Sequence, residues 1–214
     1  GNWAGGLKNA RRGPPRAPDV PFNEKGAAIQ ATYDLSTDAQ VFCDAPGVVR
    51  QSGLTPHPFK ITQYDDRVVI DYEEYGGHRE IYFDASRPIS GIKTHLGDSV
   101  ARYEGDSLII ETTNLLSNLV SPEGNRLSDQ ATTTEIYSRA DDAENGAVLD
   151  FKMIVNDPLY LTEPLVLTKS KTLVENYEMI ENDCRQPLRV RTAVSPYTSF
   201  FLTSKGVGDG ANLG

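Results

Sequence analysis

Residues 147–155, AVLDFKMIV, alternate Leu149, Phe151, Met153 and Val155 with the charged Asp150 and Lys152. A period of two over a whole segment marks a strand with one face buried and one wet. Working outward, Asn145-Gly146 supplies a turn before this segment, and TTTEIYSR (132–139) lies on its other side. The same grammar recurs upstream. FKITQY (59–64) and RVVIDYEEY (67–75) flank Asp65-Asp66, Gly76-Gly77 leads into HREIYFD (78–84), and ARY and SLIIETT flank Glu104-Gly105-Asp106. Downstream, LVLTKSKTLV (165–174) reads as a further strand that pairs with YEMIENDC through a turn at Glu175-Asn176. The chain is therefore read as all-β, with about seven to nine antiparallel strands between residues 58 and 185. Consecutive hairpins with few helices imply an up-and-down barrel, because closure removes the edges at which sheets aggregate.

The ends read differently. Residues 1–21 carry Pro14, Pro15, Pro18 and Pro21 and read as an extended arm. One short helix is expected over 23–34, started by Asn23. The Gly-rich stretch 195–214 reads as a tail, leaving 1–194 as a single domain.

Composition narrows the partners. With 21 Lys and Arg against 30 Asp and Glu, the net charge of −9 repels phosphate backbones, so nucleic acid is not an expected partner. No apolar run is long enough to span a bilayer, and membrane insertion is not expected. Residue 1 is Gly, from which removal of an upstream export signal or of an expression leader is inferred. The two cysteines, Cys43 and Cys184, lack the spacing of a zinc site. They read either as a disulfide, worth on the order of 4 kcal/mol across so long a loop, or as two buried thiols.

No GxGxxG, Walker loop or HExxH occurs, so neither a cofactor nor a metal is expected. The richest polar segment is the hairpin around Gly76-Gly77. Alternation puts Tyr72 and Glu74 on the inward face of Val68 and Ile70, and Arg79 on that of Ile81. A buried carboxylate beside Arg79 and a phenol is a candidate general base with an oxyanion donor. A structural ion-pair network is the alternative. His95 and Asp98, close together in IKTHLGDSV, form a second candidate acid–base pair. Glu111 is a further catalytic candidate, and Tyr82, Arg102, Glu135 and Tyr137 are candidate ligand contacts, since inward charges on apolar-faced strands need a ligand or a partner.

The ordered landmarks GNW, FCDAPGVVR, PFKITQYDDRVVIDYEEY, HREIYFD, GDSVARYEGDSLIIETT, RLSDQATTTEIYSR and NDPLYLTEP, with a late Cys, resemble a large family of exported, mostly uncharacterised proteobacterial proteins over residues 40–185. Two positions depart from the pattern: relatives commonly carry His or an aromatic residue where this chain has Asp98, and His where it has Leu127. The resemblance implies a lipocalin-like barrel, a periplasmic or secreted location and a Cys43–Cys184 disulfide. The functional expectation is a cofactor-independent acid–base enzyme, such as an isomerase, cyclase, lyase or hydratase, acting on a largely apolar small molecule in the barrel. The alternative is a non-catalytic carrier of a hydrophobic small molecule.

Overall fold

In the computed structural model, residues 1–4, 19–43, 45–87, 90–121 and 123–180 are described. Most of the arm, Cys184 and the 195–214 tail lie outside the described residues. Nine strands form a closed barrel in chain order: β1 (Asn2–Ala4), β2 (Phe59–Gln63), β3 (Arg67–Tyr72), β4 (His78–Tyr82), β5 (Asp98–Glu104), β6 (Ser107–Thr113), β7 (Thr132–Asp142), β8 (Gly146–Asn156) and β9 (Leu165–Leu173). The helix α1 runs over Glu24–Ala31, shorter than the sequence predicts, and the Asn23 side chain caps it by accepting from the Lys25 and Gly26 amides at 3.0 and 3.1 Å.

The alternation of β8 holds as read: Leu149, Phe151, Met153 and Val155 are buried and Asp150 and Lys152 are exposed. The inward rows of neighbouring strands meet over an aromatic file. Phe59 packs on Tyr72 at 6.1 Å and on Tyr137 at 6.3 Å between ring centres, and Tyr137 on Phe151 at 5.0 Å. Each such pair adds about 0.5–1.5 kcal/mol beyond area burial.

Three expectations are corrected. First, residues 1–21 are not wholly an arm: Trp3 pairs with Phe59 of β2 and Leu173 of β9, so β1 is the piece that closes the ring. A buried indole on a short strand outweighs the Gly-rich composition around it. Second, β9 pairs with β8 and β1, and residues 177–180 form no strand. The Glu175-Asn176 turn is present, but the edge it was to meet is already taken by β1. Third, the barrel is not purely antiparallel. Adjacent strands cannot all alternate in direction around a closed ring of nine, and the one parallel joint falls between β4 and β5, at Tyr82 and Val100. The intervening chain, 83–97, carries the backbone across so that β5 runs in the same direction as β4.

One feature had no forecast. Residues Val49–Leu54 form a π-helical turn whose Val49, Gln51, Ser52 and Gly53 are buried. It contacts β8 and β9 and plugs the barrel: a Cβ on Gly53 would meet Leu167 Cδ1 at 2.8 Å. Cys43 sits just upstream in left-handed conformation (φ 61°), ending a 3-10 turn.

Candidate functional site

Alternation brings Tyr72 (β3), Arg79 (β4), Thr112 (β6), and Glu135 and Tyr137 (β7) to the inside, all buried. Arg79 Nη2 lies 2.7 Å from Glu135 Oε2, with both side chains at most 3% exposed. Arg79 also donates to Tyr72 Oη at 3.0 Å, Ser99 Oγ at 2.9 Å and Thr112 Oγ1 at 3.1 Å. Tyr137 donates to Glu135 Oε1 at 2.9 Å, and Ser52 of the plug meets Tyr72 Oη at 2.6 Å. Buried charges survive only when paired and hydrogen-bonded; the pair is formed and most of its polar atoms are bonded, while Arg79 Nε and Glu135 Oε2 are buried without a hydrogen-bond partner. Burial alone would lower the Arg79 pKa, but the Glu135 carboxylate and the phenols outweigh it and keep the guanidinium charged. Burial raises both tyrosine pKa values, and Glu135 adds to the rise at Tyr137. Both phenols thus remain proton donors.

Four residues marked in the sequence, Tyr72, Arg79, Glu135 and Tyr137, are therefore one constellation. The others are placed apart from it. Glu74 is buried in the turn after β3 and accepts from Gln40 Nε2 at 2.8 Å. Glu111 and Arg102 face outward and pair with each other at 3.1 Å. His95 Nδ1 contacts Asn118 Oδ1 at 2.8 Å, whereas Asp98 accepts from Asn114 Nδ2 at 2.7 Å, so each has its own partner in place of the expected pair. A different His–Asp pair forms instead. Asp71 and His78 are register partners across the Gly76-Gly77 hairpin, and Asp71 Oδ1 lies 2.7 Å from His78 Nδ1.

The parallel joint leaves a cavity of about 620 Å³ between β4 and β5. His78, Arg79 and Tyr82 form one wall, and Asp98, Ser99 and Glu111 another. Arg87 roofs the Tyr82 ring, its guanidinium carbon 3.5 Å from the ring centre. The Arg79–Ser99 hydrogen bond bridges the two strands on the inner side, so the cavity and the buried network share a wall. Glu80, Asp84, Asp98 and Glu111 line it together with Arg79 and Arg87, so the lining is polar and on balance acidic.

Reading the sequence missed the plug residues Ser52 and Gln51, and it missed two lysines. Lys169 and Lys171 share the inward parity of Leu165 and Leu167 on β9. Lys171, 2% exposed, donates to the His57 carbonyl at 2.8 Å and sits 5.0 Å from the Phe59 ring centre. Burial lowers its pKa from 10.5 to about 8, against the attraction of Glu74. Lys169 is also lowered, well below the ordinary lysine value, by burial and by the charge of Lys171, against Glu135 and Glu74.

Between pH 8 and 10.5 the unfolded chain holds a proton on Lys171 that the folded chain has released, so folding stability rises with pH in that window. The raised tyrosines act oppositely only above about pH 10. Urea titrations from about pH 7.5 to 9.5 are expected to show a gain of about 2 kcal/mol from Lys171, to which Lys169, also lowered, adds a rise of the same sign. Lys171→Met removes the Lys171 share and leaves a shallower rise; an equal slope in the variant would place the titrating group elsewhere.

Among the described residues, no group of three or more His, Cys, Asp and Glu side chains is placed to hold a metal ion, and no helix is long and apolar enough to cross a membrane. Compared with protein families, curated proteins and solved structures, the chain matches none.

Proposed function

We propose that the protein is a cofactor-independent acid–base enzyme acting on a small polar molecule in the β4–β5 cavity. The carrying observation is His78 at the cavity wall with Asp71 behind it: a carboxylate 2.7 Å from Nδ1 fixes the imidazole and leaves Nε2 to move a proton. The acidic rim favours a hydroxylated or amine-bearing substrate over the largely apolar one expected from the strands. Arg79, locked by Glu135, supports the wall behind the substrate. An isomerase, lyase, hydratase or cyclase needs no more than this, one positioned proton carrier and an oriented substrate.

A second reading is a carrier. It is favoured by the engagement of Glu111 with Arg102 and of Asp98 with Asn114, which suits holding a ligand more than exchanging protons with it. Native mass spectrometry of protein purified from its source identifies the co-purified molecule, and incubation then shows whether it is converted. His78→Gln is expected to cut conversion by about 10²–10⁴-fold with an unchanged urea midpoint, since His78 is exposed. Full conversion by the variant would remove His78 from the mechanism, and a ligand that always returns unchanged would favour the carrier. A periplasmic or secreted location and a Cys43–Cys184 bridge belong to the same proposal. The left-handed turn at Cys43, beside the plug, is where such a bridge would anchor the end of the barrel.

A further inference from the structure

The joint between β4 and β5 is short of backbone pairing. All five residues of β4 pair with β3 and all seven of β5 pair with β6, yet β4 and β5 meet only at Tyr82 and Val100. The register fixes where the free groups point. Phe83 donates its amide to the Asp66 carbonyl at 3.1 Å and Tyr72 donates to the Gly77 carbonyl at 2.8 Å, so Arg79 and Ile81 turn their backbone groups toward β3. The intervening His78, Glu80 and Tyr82 therefore turn theirs toward β5. The bridge takes up Tyr82, and the amides and carbonyls of His78 and Glu80 face the 620 Å³ cavity without forming a further rung. An interrupted ladder is a template for another strand.

Charge and direction narrow what fits. On the outer face Glu80, Asp98 and Glu111 line the gap from β4, β5 and β6, while on the inner face the Arg79–Ser99 hydrogen bond closes it at 2.9 Å. Because β4 and β5 run parallel, a segment lying between them and antiparallel to both supplies the alternation that a ring of nine lacks.

We propose that the β4–β5 gap binds an extended segment of a partner protein as an added strand, with Lys or Arg at every second position and small residues between. The basic residues stand directly opposite His78 and Glu80, exchange backbone hydrogen bonds with them, and place a cation between Glu80 and Asp98. The small residues face inward, where Arg79 and Ser99 leave no depth. About five residues cover the edge His78–Tyr82 at roughly 3.3 Å each. Under the acid–base reading such a partner excludes the substrate, but docking itself does not rest on that reading.

The test adds a blocked five-residue peptide alternating lysine and serine to the intact protein at low salt. Amide exchange at His78 and Glu80, read by NMR, is expected to slow roughly tenfold or more on binding. Methylating the lysine backbone nitrogens, which face β4, is expected to weaken binding roughly tenfold by calorimetry. Glutamate in place of lysine abolishes binding, and Glu80→Gln weakens it about threefold. Equal affinity for methylated and unmethylated peptides reduces the contact to charge and overturns the added strand. Unchanged exchange at Glu80, or no binding, overturns the proposal as well. The exchange and methylation experiments use the parent protein, so they decide the matter whether or not Glu80→Gln folds. No conversion of a small molecule is measured, so failure here is separate from failure of the acid–base reading.

Discussion

Glu135→Ala is expected to lower the unfolding free energy by about 3–5 kcal/mol, the usual cost of stranding one member of a buried ion pair. The variant leaves the Arg79 guanidinium 3% exposed with the hydroxyls of Ser52, Tyr72, Ser99 and Thr112 around it, and deprives Tyr137 of its acceptor. A hydroxyl donates or accepts but carries no counter-charge, so the desolvation cost of the cation is left uncompensated. Arg79→Met alone has a comparable effect from the other side. The double variant Arg79→Met/Glu135→Met recovers most of the loss, because an apolar pair of similar volume has no charge to bury. Urea denaturation of the four proteins closes the cycle. Single-variant losses below about 1 kcal/mol would mean that water reaches the pair and that the barrel interior is wetter than its burial indicates.

Trp3→Ala is the second large effect, about 3–5 kcal/mol from loss of a buried aromatic and the cavity it leaves. Trp3 is 6% exposed on a strand of only three residues, yet that strand bonds β2 on one side and β9 on the other. Ile61 also receives the Gly1 ammonium at 2.7 Å, a contact that Trp3 holds in register. Far-UV circular dichroism during urea unfolding reads the change, since the variant lacks the chain's single tryptophan. Light scattering is expected to report self-association as well, because β2 and β9 become free edges when β1 detaches. A midpoint within error of the parent would show that β1 decorates a barrel already closed.

The strands were legible because burial repeats every second residue, and AVLDFKMIV states that period without ambiguity. The same rule placed Tyr72 and Arg79 inside and flagged Glu135 and Tyr137, so most of the ion-pair network could be read before its geometry was known. The pairing itself could not. Arg79 meets Glu135 across the barrel, between strands far apart in the chain, and local pattern carries no information on that. The plug was hidden for a different reason: VVRQSGL has no period of its own, and its burial comes from the cavity it enters. For Lys169 and Lys171 the signal was present but weighed wrongly. Their parity with Leu165, Leu167 and Leu173 is inward, and residue type was allowed to override position. The Asp71–His78 pair was also available, since a hairpin centred on Gly76-Gly77 sets those two residues opposite each other.

The odd number of strands bears on how the molecule deforms. An even ring can distribute strain over equivalent joints, but here eight joints are ladders and the ninth is a single bridge between Tyr82 and Val100. Any swelling of the barrel concentrates at that bridge, which works as a clasp. On the inner side, among the described residues, the clasp is tied by the Arg79–Ser99 hydrogen bond. Opening it would widen the cavity and release Arg79 from Ser99 in the same movement, so the width of the cavity and the packing of the buried charges are mechanically linked.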